Sequence, residues 1–173
     1  MGRLSRDKRD VFYRLAKEKG YRARSAFKLL QLDAEFDLFG RRNHKDSNSS
    51  SRAAAPAIAR AVDLCAAPGS WSQVLADQLQ ATAASTSSSD TNTNQVPKIV
   101  AVDLQPMAPI DGVTTIQGDI TAQQTAEQII AQFQGQRAEL VLCDGAPDVT
   151  GLHDVDEFLQ SQLLQAAMLI TTH

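Results

Sequence analysis

The sequence predicts an α/β protein: a Rossmann-like parallel sheet with helices on both faces. Three observations lead there. Short β-rich runs (Ala61–Cys65, Lys98–Leu104, Val113–Gln117 and Glu139–Cys143) alternate with stretches of helical period. Parallel strands need such crossovers, and strands covered on both sides read as unbroken apolar runs. The composition, 43% apolar and 21% charged over 173 residues, is that of a globular chain able to bury a core, and it excludes wholesale disorder. No apolar run approaches the ~20 residues that a membrane span requires.

The elements follow in order. Val11 and Leu15 stand at i, i+4 in a first helix that Gly20 is placed to end. A second helix starts near Ser25 and carries Phe27, Leu30 and Ala34 as its apolar stripe. Residues 41–57 and 81–97, rich in Ser, Thr, Asn and Ala, have no usable period and read as flexible insertions at loop positions. Between them the strand Ala61–Cys65 runs into the small-residue turn Ala66-Ala67-Pro68-Gly69-Ser70 and a helix from Trp71 to Leu79. Later comes a helix over Thr121–Phe133, with Ile129, Ile130 and Phe133 apolar. The last helix opens near Asp154, whose spacing to Glu157 resembles a capping box, and Val155, Leu159, Leu163 and Ile170 keep its period. It reaches His173 with no glycine cap or following strand. The expectation is a single, incomplete domain over 1–173, cut after its fourth strand and the helix that follows, with residues 1–36 forming a basic helical segment.

The net charge of −3 hides an asymmetry. Residues 1–30 hold ten Lys or Arg against three acids, +7, which leaves −10 for the rest. A basic head on an acidic body suits a polyanion such as nucleic acid, with Arg6, Arg9, Arg22 and Arg24 as phosphate contacts. Charge alone fits a solvated helical face equally well. Two cysteines and three histidines are too few for a disulfide framework or a zinc cluster, and no metal is expected. Cys65 and Cys143 end strands expected to be neighbours and should pack as reduced, small apolar groups. The basic N-terminus lacks a secretory h-region, and Asp7, Asp10 and Glu18 interrupt it, so a cytoplasmic or nuclear compartment is expected.

The chemistry gathers at strand ends, where open α/β sheets bind ligands. Gly69 lets a backbone approach a ligand that any Cβ would meet. The turn is not G-x-G-x-x-G, which disfavours a dinucleotide oxidoreductase. Asp103 ends the second strand, where an acid commonly accepts from ribose hydroxyls. Asp119 ends the third and Asp144 the fourth. One such acid is usually a turn residue. Three on successive strands around a small-residue turn describe a pocket for a nucleoside carrying a positive group.

Asp63–Leu75 (DLCAAPGSWSQVL), Ala101–Pro109 (AVDLQPMAP), Gln117–Thr121 (QGDIT) and Cys143–Asp154 (CDGAPDVTGLHD) closely resemble the FtsJ-like 2′-O-ribose RNA methyltransferases. Tyr21–Leu32 (YRARSAFKLLQL) is similar to that family's substrate-side helix. The GAPDVTGLHD form resembles the eukaryotic cytoplasmic branch acting on the tRNA anticodon loop, at positions 32 and 34. The resemblance implies S-adenosyl-L-methionine as cofactor, held by Gly69, Trp71, Asp103, Asp119 and Asp144. It implies Lys28 and Asp144 as the first two members of a Lys-Asp-Lys-Glu catalytic set whose second lysine and glutamate have no counterpart before His173. It also implies tRNA as substrate and a separate helper subunit that selects the nucleotide. The alternative expectation is a non-catalytic module that binds cofactor and RNA but lacks the second lysine.

Overall fold

The computed structural model describes residues 11–40, 58–86, 96–147 and 150–172. The expected insertion at 41–57 lies outside them, as do Arg6 and Arg9. The elements are α1 (Val11–Glu18), α2 (Ala26–Phe36), β1 (Arg60–Leu64), α3 (Ser70–Thr86), β2 (Lys98–Asp103), β3 (Val113–Gln117), α4 (Gln123–Gln132), β4 (Leu140–Cys143) and α5 (His153–Thr172). The strands form one parallel sheet in the order β3-β2-β1-β4. The reversal of winding at β1 leaves a crevice at the carboxyl ends of β1 and β4, where such sheets hold their ligands.

β1 and β2 are apolar without alternation because both of their faces are covered. On one face Ala61 and Ile99 pack with Leu29, Phe39, Trp71, Val74, Leu75 and Leu79 beneath α2 and α3. On the other, Val62, Leu64, Val100 and Val102 meet Ile129 and Phe133 at α4 and Ala166 and Ala167 of α5. Each large aliphatic or aromatic side chain so buried stabilises the fold by about 1.5–3 kcal/mol, which fixes the strand register and hence which residues reach the crevice. At the opposite end Arg60 ties β1 to the chain before β4: its Nε donates to the Arg137 carbonyl at 2.6 Å and its guanidinium pairs with Glu139.

Four local expectations need correction. β1 ends at Leu64, because Cys65 turns into the left-handed region at φ +58° and leaves the ladder. α2 buries Ala26, Leu29 and Asp33 rather than Phe27, Leu30 and Ala34: Ala34 is exposed, and Phe27 packs edge-on to Tyr21 with centroids 6.0 Å apart. α3 runs to Thr86, six residues into the stretch expected as an 81–97 insertion; alanine is the best helix former, and the Thr82 hydroxyl bonds back to the Gln78 carbonyl at 2.8 Å. Residues 87–95 lie outside the described ones. α5 starts at His153, which puts Asp154 inside the first turn; Asp156, not Glu157, closes the start by accepting the Thr150 N–H and hydroxyl at 2.8 and 2.6 Å. In α4, Ile130 is left 47% exposed while Ile129 and Phe133 enter the core. Among the described residues no helix is long and apolar enough to cross a membrane.

Candidate functional site

The carboxyl end of β1 opens into the turn 66–70, which leads directly into α3. Asp103 shapes that turn. One oxygen accepts the Ala67 N–H and the other the Gln105 N–H, both at 2.8 Å. The Gly118 N–H donates to the Asp103 carbonyl at 2.9 Å and brings the end of β3 to the same place. Asp119 is exposed; one of its oxygens accepts the Thr121 N–H and hydroxyl, each at 2.8 Å, and so shapes the entry to α4. Both acids therefore hold loops, and a carboxylate keeps further lone pairs beyond these bonds.

The N-terminal segment closes the site from the other side. The Trp71 indole, buried at the start of α3, donates to the Ser25 carbonyl at 2.8 Å, and the Ser25 and Ser70 hydroxyls bond at 2.7 Å. This docking carries Lys28, one helical turn beyond Ser25, to an ion pair with Asp144 at the end of β4. The ammonium also stands 5.8 Å from the centre of the Trp71 ring, within cation–π range. Residues 116 positions apart are thus brought into one pair. A small cavity of about 70 Å³ lies beside them, lined by Ser25, Asp63, Ala66, Ser70, Trp71 and Asp144 among others. A larger one, about 620 Å³, lies along α4 and α5 by Ile120, Thr121, Ile130 and Leu169, beside Asp119 but lined by none of Lys28, Asp103 and Asp144. The Lys28–Asp144 pair, not the volume, marks the candidate site.

One feature escaped the sequence. Asp63, 1% exposed in β1, accepts from the Ser72 hydroxyl at 2.6 Å. Burial pushes its carboxyl up to about 7; the Ser72 bond opposes the rise, and Cys143, Asp103 and Asp144 add to it. A buried acid among other acids is costly beside nothing and favourable beside a cation. Its only sequence signal is a charged residue inside the apolar run AVDLC. Cys143 ends β4 and Cys65 follows directly on β1, its neighbour; as expected, both are free thiols that pack, half-buried, against the core of Val62, Leu64, Val100 and Val102. Their proximity shifts the two thiols in opposite directions, Cys65 upward and Cys143 downward, the latter against its burial and with help from the Gly145 N–H.

Gly69 and Arg22 also differ from expectation. Gly69 has φ +101°, and a Cβ there would stand 2.8 Å from both Arg22 Nη1 and Ile110 Cδ1. The space vacated by its side chain is filled by this chain's own arginine. Arg22, expected on phosphate, directs its guanidinium to the carbonyls of Pro68, Ala108 and Pro109 at 2.8–2.9 Å. Among the described residues no group of three His, Cys, Asp or Glu side chains could hold a metal ion.

The geometry is a crevice with a lysine–aspartate pair over an indole and a buried acid beneath. It suits a ligand with a positive centre and a hydroxyl brought to the lysine. The family model for FtsJ-like methyltransferase matches residues 21–173. A mouse protein named tRNA (cytidine(32)/guanosine(34)-2′-O)-methyltransferase is 57% identical over 173 residues, all of this chain and 45% of its own length. The human protein of the same name is also 57% identical, with 44% of its length covered. The chain thus spans under half the length of these curated relatives. Among solved structures, a chain described as a ribosomal RNA methyltransferase from Plasmodium falciparum superposes with a TM-score of 0.61 at 24% identity, over 86% of this chain and 69% of that one. At that identity the likeness speaks for the fold alone.

Proposed function

The chain belongs to the FtsJ-like methyltransferases, and from that premise we propose that it moves a methyl group from S-adenosylmethionine to the ribose 2′-hydroxyl of tRNA anticodon-loop nucleotides, those at positions 32 and 34. The observation that carries the reading is the Lys28–Asp144 pair beside Trp71, at the mouth of a cavity floored by Asp63. The printed names of relatives 57% identical over the whole chain point to the same substrate. A helper subunit that selects the nucleotide, and a cytoplasmic setting, belong to this reading.

The residues present fit a sulfonium cofactor. The site gathers Asp63, Asp103 and Asp144 closely enough for each of the other two to raise the Asp63 carboxyl, so a cation entering the cavity relieves their mutual repulsion. When bound, S-adenosylmethionine supplies a methyl group already activated by the positive sulfur. The protein's share is alignment, worth as much as any chemical group when the reaction is a single in-line displacement. Asp144 fixes the Lys28 ammonium, which would donate to the 2′-oxygen and turn a lone pair toward the methyl carbon; as the carbon–oxygen bond forms the carbon–sulfur bond would break, leaving the neutral thioether, and the hydroxyl proton would pass to water. Trp71 supports both by holding Ser25 and by presenting its ring to Lys28. Asp103 and Asp119 keep the turn and loops in place, with free lone pairs for ribose hydroxyls or an exocyclic amine.

The test is calorimetric titration of the chain with S-adenosylmethionine, followed by transfer of labelled methyl to unmodified tRNA and digestion to locate the label. Binding is expected, any label transferred should fall at 32 or 34, and Asp103→Ala should weaken cofactor binding by about 1.5–3 kcal/mol. A chain that binds no S-adenosylmethionine would end the proposal; binding without transfer would favour the non-catalytic module.

A further inference from the structure

We propose that Arg22 is a positioning residue of the methyl-donor site: seated in the space that a Gly69 side chain would fill, its guanidinium clamps the two loops that wall the site and locks them to the segment carrying Lys28. The inference rests on the reading above and deepens it, by giving a residue of the basic head a task at the cofactor site rather than on RNA.

The guanidinium spends three of its five N–H donors on main-chain carbonyls. Nη1 donates to Pro68 in the β1–α3 turn at 2.9 Å and to Ala108 in the β2–β3 loop at 2.8 Å; Nη2 donates to Pro109 at 2.8 Å. These carbonyls lie 46 to 87 positions away in sequence, so one side chain joins its own segment to two distant loops. The main chain of the same residue is held as well. The Arg22 N–H donates to Gln73 Oε1 at 2.9 Å, and Gln73 Nε2 donates to the Gly20 carbonyl at 3.1 Å.

Each clamped loop bears on the site. The turn that presents the Pro68 carbonyl also presents the Ala67 N–H to Asp103 and the Ser70 hydroxyl to Ser25. The loop that presents the Ala108 and Pro109 carbonyls follows Asp103 and Gln105 and carries Ile110, which together with Arg22 fills the space above Gly69. The three carbonyls leave the guanidinium its charge but occupy three of its donors and hold its fork against the loops, which spoils it for a bidentate phosphate contact. The geometry is a planar fork reaching two loops at once, which an ammonium on a single stem reproduces in part.

The experiment compares wild type, Arg22→Ala and Arg22→Lys in three measurements. Calorimetry with S-adenosylmethionine should show binding about tenfold weaker for Arg22→Ala and intermediate for Arg22→Lys. The slope of log affinity for tRNA against log salt should be the same in all three, because removing one phosphate-bound cation would flatten it by about 0.7–0.9 unit. Amide exchange in the absence of cofactor should rise in Arg22→Ala at residues 66–72 and at 104–112 together. Unchanged cofactor affinity, a flattened salt slope, or unchanged exchange at both loops would each overturn the clamp. If Arg22→Ala does not fold, Arg22→Lys decides on cofactor affinity and on amide exchange at the two loops. A wild type that binds no S-adenosylmethionine would defeat the proposed function, while the exchange measurement would still judge the clamp.

Discussion

Asp63 sits in a central strand, where a carboxylate has little to gain unless something positive comes near. Its carboxyl is raised from 3.8 to about 7, first by burial. The unfolded chain gives up that proton near pH 4 and the folded chain keeps it to about pH 7. Unfolding therefore releases a proton in this window, and the stability the group contributes is lost as pH rises through it. Asp63→Asn keeps the shape and an acceptor for Ser72 but cannot ionise. Relative to wild type, the variant should gain stability as pH is raised from 5 to 8, by an amount on the order of a few kcal/mol, read from urea midpoints at each pH. A difference between the two proteins that is flat in pH would show that Asp63 is ionised throughout. Lys28 presents the opposite case, a charge that is exposed but directed. Lys28→Ala should cut single-turnover methyl transfer by about 10²-fold or more. It should leave S-adenosylmethionine affinity equal or improved, because the freed Asp144 carboxylate then faces the cation alone. A parallel loss of affinity would make Lys28 part of the binding surface and not of the transfer step.

Elements are legible in the sequence to the extent that their signal is local. β1 and β2 announce themselves because both faces are buried, so Val62, Leu64, Val100 and Val102 need no alternation to be recognised. β3 is legible from Val113 to Gln117, although its side chains are only partly covered, because Gly112 and Gly118 bracket it. The face of α2 is not legible, because one of its inward positions is an aspartate. Asp33 is 6% exposed and accepts the Phe39 N–H at 3.0 Å, closing the chain over the end of the helix where Asp37 adopts φ +53°. A pattern search for apolar residues passes over it. Asp33→Ala leaves the Phe39 N–H without its acceptor in a buried place and should destabilise the protein by about 1–3 kcal/mol in urea unfolding, with Phe39 itself loosened. A loss below about 0.5 kcal/mol would mean that water or a neighbouring group replaces the carboxylate. The candidate site divides in the same way. Asp103, Asp119 and Asp144 are singled out as candidates by their place after strands, and Lys28 by the segment that resembles the family's, and the structure brings Lys28 and Asp144 together. The bonds that set these groups to work, Trp71 to Ser25 and Arg22 to three carbonyls, join residues at least 46 positions apart. They depend on carbonyl directions that no residue type encodes.

At the scale of the molecule the charge separates into a basic head, +7 over residues 1–30, and a body of −10. On the proposed function, an RNA would be drawn to the basic N-terminal segment and repelled by the acidic body, which would bring its ribose toward Lys28. The structure sorts the head's described cations. Arg22 is committed to carbonyls and Lys28 to Asp144. Arg14 and Lys17 are exposed on α1 at i, i+3, so both lie on one face of that helix; Lys17 rests 5.4 Å from the Tyr13 ring centre, which leaves its charge at the surface. If that face contacts phosphates, the double variant Arg14→Ala/Lys17→Ala should bind tRNA with a salt slope flatter by about 1.4–1.8 units, at 0.7–0.9 per phosphate contact. Cofactor affinity should not move, because the groups of the crevice come from α2, α3 and the strand ends. Arg22→Ala should show the reverse, weakened cofactor and an unchanged slope. The two variants thus separate the part of the head that meets RNA from the part that builds the site. Equal slopes for wild type and the α1 double variant would remove that face from the RNA path and leave the basic charge of α1 as a solvated surface.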